Sequence, residues 1–113
     1  GLSELEQHPG EALSFGQQKL LSLARLLANE AEVLLLDEPT AGVNPEMVRK
    51  IIALIQKLAR EEGKTVVVIE HNMNVVLEIA DWVFFMDEGR IEAFGKPQDV
   101  LGDREVREAY IGL

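Results

Sequence analysis

Two apolar runs in the sequence end on residues able to do chemistry. "VLLL" at 33–36 leads into Asp37 and Glu38, and "TVVVI" at 65–69 leads into Glu70 and His71. An aspartate in such a place can hold Mg²⁺ through its water shell, because magnesium takes one or two carboxylates and fills its other positions with water and phosphate oxygens. A glutamate that follows it, pointing to the other side, can orient and deprotonate an attacking water. His71 draws interest through its place, one strand over from the carboxylates. The plainer account is a solvated strand exit, with His71 a surface or helix-capping residue.

A third locus is "EALSFGQQKLLSLARLLA", Glu11 to Ala28. Ser14 and Gln17 have the spacing of a capping box, in which each side chain satisfies an amide near the other. Leu20, Leu23, Ala24 and Leu27 then recur at helical spacing, so a buried helix begins here. The cap explains neither Gly16, which costs about 1 kcal/mol against alanine in a helix, nor Phe15, at a position that faces water. A bare backbone at a helix N-terminus lets an anion approach free amides on which the helix dipole also acts. A phosphate site is the functional reading of the stretch, and a simple cap the structural one.

The elements that must carry these residues alternate. The "VLLL" run reads as a fully buried strand of a parallel sheet. The loop "PTAGVNP" follows, and Asn44, Pro45 and Glu46 then supply an N-cap, a first-turn proline and an acid matched to the dipole. Met47, Ile51, Leu54, Ile55 and Leu58 mark one face of a helix ending near Gly63. Residues 65–70 form the next buried strand, with a helix through Val75, Val76 and Ile79 behind it. "WVFFM", "DEGR" and "IEAF" predict a hairpin over 82–94, and Lys96 and Pro97 open a short helical tail. The expected fold class is therefore α/β, a mostly parallel sheet with flanking helices and with ligands at the carboxyl ends of the strands.

"EGKT" at 62–65 is not the end of a phosphate-binding loop: the pattern requires glycine at position 58, which is leucine, and a strand-to-helix order that is reversed here. With 113 residues the chain holds at most one domain, burying roughly two-thirds of its unfolded surface. Eleven basic residues against 20 acidic ones give a net charge of −9, which argues against nucleic acid or an anionic membrane as a broad partner. An anionic ligand then needs a local site. The absence of cysteine excludes disulfides and thiolate metal sites. No apolar run reaches the ~20 residues of a spanning helix, and the first ten residues lack the pattern of a signal peptide.

"LSFGQQ", "VLLLDEPTAGVNP" and "VVVIEH", in that order and at these separations, resemble the signature motif, Walker B strand with D-loop, and switch histidine of ABC-type ATPases. The resemblance covers nearly the whole chain from Leu13 onward. Two departures stand out, Phe15 where the family usually has glycine and Asn44 where the D-loop usually has aspartate. With "AGVNP" and the ending "AYIGL", they look like the subgroup that powers branched-chain amino-acid importers.

The resemblance implies a carboxyl-terminal part of one ATPase domain, with a signature helix at 11–28 and a partial nucleotide-binding core at 33–113 in a P-loop NTPase fold lacking its Walker A strand. It implies ATP and Mg²⁺ as ligands, Asp37 serving the metal, Glu38 as general base and His71 touching the γ-phosphate. Ser14 and the Gly16 amide would contact the γ-phosphate held by a second ATPase subunit, with Phe15 and Gln17 in the same nucleotide-binding stretch and Asn44, also counted with the nucleotide-binding residues, at the subunit interface. The partners implied are that second subunit and transmembrane permease subunits, placing the protein at the cytoplasmic face of the membrane, with no nucleic acid. The 113-residue chain by itself is expected to be inactive. The family layout sets strand 65–70 beside 33–37 and leaves its other edge without the Walker A strand, so self-association is expected, with closure of the gap by 82–86 moving directly against 65–70 as the alternative. The competing readings are an ABC ATPase of DNA repair or translation, and a non-catalytic α/β interaction module.

Overall fold

The computed structural model describes residues 14–111. Glu11–Leu13 of the signature stretch and the last two residues of "AYIGL" lie outside the described residues. The chain divides into two compact units, the first ending at Glu70 and the second beginning at His71.

The first unit contains α1 (Phe15–Ala24), a 3₁₀ turn (Arg25–Ala28), β1 (Val33–Asp37), α2 (Pro45–Arg60) and β2 (Thr65–Ile69). α2 forms where the sequence places it. The Asn44 side chain accepts from the Met47 amide at 2.9 Å, Pro45 occupies the first turn, and Lys57 and Arg60 sit in the last turn, where the helix dipole favours cations. Ile51, Ile52, Leu54, Ile55 and Leu58 are buried, and each such side chain contributes about 1.5–3 kcal/mol. α2 packs against α1 on one side and β2 on another. Leu20 and Leu23 of α1 are buried, while α1 itself tightens into the 3₁₀ turn at Arg25, so Leu27 falls in a different winding and is only half-buried.

β1 and β2 pair in parallel, Val33 opposite Thr65 through Asp37 opposite Ile69. The expected neighbours are therefore neighbours. The two strands are not buried on both faces, however. Leu34 and Leu36 are buried, whereas Val33, Leu35, Val67 and Ile69 are exposed, Leu35 by 77%. A continuous apolar run suits burial on both sides, and among the described residues one face is covered.

The second unit holds α3 (Met73–Ile79), β3 (Val83–Asp87), β4 (Arg90–Gly95), α4 (Pro97–Leu101) and α5 (Arg104–Ile111). β3 and β4 are antiparallel, joined by Glu88 and Gly89, both with positive φ (49° and 77°), as a two-residue hairpin turn of the primed kind requires. The register shifts between Phe85 and Met86, where β4 carries Glu92 as an extra residue. That bulge puts Ile91 on the face of Phe94, opposite Met86 and Phe84, and all four side chains are exposed. The other face packs Val83, Phe85 and Ala93 around buried Val100, Leu101 and Val106. Among the described residues the sheet content is thus one parallel pair and one antiparallel hairpin. The architecture is mixed α/β: among the described residues parallel pairing is seen between β1 and β2, which α2 connects, whereas a two-residue turn forces β3 and β4 antiparallel, so the described sheet content is not mostly parallel as expected.

Candidate functional site

α1 starts with a complete capping box. The Gln17 amide donates to Ser14 Oγ at 3.2 Å and the Ser14 amide donates to Gln17 Oε1 at 3.0 Å. Both side chains thus have a structural duty at this helix start. Gly16 is buried, and a Cβ built on it would meet Met47 Cγ at 2.8 Å and Val43 Cγ1 at 3.3 Å. The missing side chain is required by the close approach of the first turn of α2, a packing reason that the sequence around Gly16 did not disclose. Phe15 is 57% exposed. Its ring nevertheless lies against Gly42, whose φ of 70° suits glycine, and under the Lys19 ammonium at 4.9 Å from the ring centroid.

At the end of β1, Asp37 is exposed and pairs with Ile69. The Glu38 amide carries the ladder one residue further, donating to the Ile69 carbonyl at 2.8 Å. There the chain turns sharply. Glu38 has φ 48°, a left-handed conformation that costs an L-residue roughly 1–2 kcal/mol. Its carbonyl accepts from the Ala41 amide at 3.2 Å, and Lys19 Nζ donates to the carbonyls of Glu38 and Ala41, both at 2.9 Å. Thr40, buried, donates from Oγ1 to Glu70 Oε2 at 2.8 Å, tying this loop to the end of β2.

Ser14, Phe15, Gly16 and Gln17 at one helix start, and Asp37, Glu38 and Asn44 along one loop, are therefore joined within the first unit through Lys19, Phe15 and Gly16. Asn44 caps α2. His71 is exposed and opens the second unit, directly before Asn72, which caps α3 by accepting from the amides of Asn74 and Val75. Lys64 of "EGKT" donates to the carbonyls of Asn29 and Ala31, a structural role that agrees with discounting that stretch as a phosphate loop.

No group of three or more metal-ligating side chains gathers among the described residues. The donor set at the end of β1 is a pair of adjacent carboxylates with backbone carbonyls turned to Lys19. Such a set fits magnesium, which needs one or two carboxylates and draws its other oxygens from water and phosphate. Lys19 and Thr40 are the contributors that the sequence did not single out. A signal for Lys19 existed, since Phe15 and Lys19 are four apart on one helix face. Its carbonyl partners lie 19 and 22 residues away, beyond any local pattern.

A family model described as ABC transporter matches residues 1–41. The histidine/lysine/arginine/ornithine transport ATP-binding protein HisP of Salmonella typhimurium is 46% identical over 91 residues, 80% of this chain and 35% of its own length. The crystal structure of the ADP conformation of MJ1267, an ATP-binding cassette of an ABC transporter, superposes with a TM-score of 0.85 at 35% identity, covering 99% of this chain and 45% of that one. A dimeric post-hydrolysis state of the cassette MJ0796, bound to ADP and Pi, gives a TM-score of 0.68 at 37% identity over 80% of this chain and 38% of that one. The chain spans 35% to 41% of the length of the curated relatives it matches. No helix among the described residues is long and apolar enough to cross a membrane.

Proposed function

We propose, for a chain that belongs to the family of ABC-transporter ATP-binding subunits, that it carries part of the Mg²⁺-dependent ATPase machinery of an importer. Asp37 serves the metal, Glu38 is the general base, and His71 meets the γ-phosphate. Ser14 and the Gly16 amide, with Phe15 and Gln17 completing the helix start, face the γ-phosphate held by a second ATPase subunit, and Asn44 lies at that interface. When bound, Mg²⁺ supplies charge neutralisation at the phosphate oxygens. The chain's own residues position a water in line and take its proton at the Glu38 carboxylate. The phosphate-cradling loop belongs to the remainder of a longer subunit, which docks on permease subunits at the cytoplasmic face. Branched-chain amino acids are the solute class, a reading supported by Phe15, by "AGVNP" and by "AYIGL".

The observation that carries this reading is Glu38 held at φ 48° directly after Asp37 at a strand's carboxyl end, because strained non-glycine backbone concentrates at functional sites. Glu38→Gln in the complete subunit tests it. Nucleotide binding and pairing of subunits should persist while hydrolysis falls about 10²- to 10⁴-fold. Turnover at the parental rate would remove Glu38 from the role of base.

A further inference from the structure

We propose that Lys19 is a positioning residue for Glu38, holding the turn from which its carboxylate projects; the inference rests on Glu38 being the base. Lys19 sits one turn into α1, half-buried, with its ammonium shared between the carbonyls of Glu38 and Ala41 and lying over the Phe15 ring. This charge serves backbone oxygens, and those two oxygens bracket the tight turn of residues 38–41.

Residue 38 is thereby fixed from two sides. Its amide is bonded to β2 through the Ile69 carbonyl, and its carbonyl is bonded to both the Ala41 amide and Lys19. Between these anchors the backbone occupies a left-handed conformation for which glutamate has no intrinsic preference. A strained conformation persists only where its surroundings over-determine it, and charge-assisted hydrogen bonds are about twice as strong as neutral ones. Thr40, bonded to Glu70, holds the middle of the same turn. Of these restraints, Lys19 is the one that comes from α1. Withdrawing it frees the carbonyl side of Glu38 while leaving the amide side paired, so the carboxylate loses its placement without leaving the site. A displacement near 1 Å at a reacting group is worth about 10²-fold in rate.

The test is made in the complete subunit. Lys19→Met keeps the stem and removes the donors; kcat should fall about 10- to 100-fold while KM for ATP stays within about three-fold, since the phosphate-cradling loop is untouched. Amide exchange at Ala41 should accelerate in the same variant, because its acceptor is released. Lys19→Arg, which can still donate to both carbonyls, should recover kcat to within about five-fold of the parent. Parental kcat in Lys19→Met, an unchanged Ala41 exchange rate, or a Lys19→Arg variant as slow as Lys19→Met would each overturn the proposal. Glu38→Gln measured alongside separates the two levels: if it hydrolyses ATP at the parental rate, the assignment of the base has failed, whereas its loss beside a fully active Lys19→Met defeats the role of Lys19 alone.

Discussion

Thr40 Oγ1 donates to Glu70 Oε2 at 2.8 Å, joining the loop that leaves β1 to the residue that follows β2. The hydroxyl belongs to a residue only 6% exposed, and its acceptor is thirty positions away. A hydrogen bond to an ionised group contributes about 1.5–3 kcal/mol, reduced here because Glu70 is only half-buried and water can replace the hydroxyl. Thr40→Val, which keeps the shape, should therefore cost about 1–2 kcal/mol. Thermal melting at fixed protein concentration measures it, and an unshifted midpoint would show that the bond contributes nothing net.

Gly16 gives a second prediction, because the approach of Met47 and the cost of glycine in a helix oppose one another. Gly16→Ala gains up to about 1 kcal/mol of helix propensity and loses about 1–3 kcal/mol to crowding against Met47 and Val43. A net loss is expected in the parent. In a Met47→Ala background the Cβ has room, so the same substitution should become neutral or stabilising. Equal effects in both backgrounds would show that Met47 is not what excludes a side chain at position 16.

Action across the subunit interface has its own test. A complete subunit carrying Ser14→Arg, mixed with one whose phosphate-cradling loop is disabled, should form a hybrid with one intact composite site and measurable ATPase activity. Each parent alone should be inactive. A verified one-to-one hybrid without activity counts against Ser14 acting on the partner's nucleotide.

Much of this arrangement was legible in the sequence, for local reasons. Asn44, Pro45 and the spacing from Ile51 to Leu58 specify α2 without reference to the rest of the chain, and Glu88-Gly89 specifies the hairpin turn. The capping box of Ser14 and Gln17 was equally plain. The reason for Gly16 was not, because Met47 lies 31 positions further along and only the fold brings it near. The sequence of β1 and β2 implies burial on both faces, since Leu35 and Val67 are as apolar as Leu34 and Val68. Composition records what a strand could bury, and the number of layers packed on it decides what it does bury.

The bare face of β1 and β2 should make the 113-residue polypeptide self-associate when it is prepared alone. Leu35 and Val67 face each other across the ladder and are 77% and 48% exposed, with Val33 and Ile69 beside them. Among the described residues no strand pairs with the second edge of β2, and its Val-rich sequence is of the kind that recruits other chains. Light scattering should show a mass that rises with concentration, and Leu35→Lys with Val67→Lys should reduce it. A strictly monomeric species with protected amides from Val66 to Ile69 would overturn this.

The left-handed backbone at Glu38 has an evolutionary side. Asparagine occupies that region far more readily than glutamate, so Glu38→Asn should raise stability by on the order of 1 kcal/mol while removing the carboxylate proposed to take the proton. Melting temperature and turnover would then move in opposite directions at one position. Selection for robustness alone would erase glutamate there. Its retention at φ 48° is what the proposed role as general base would require.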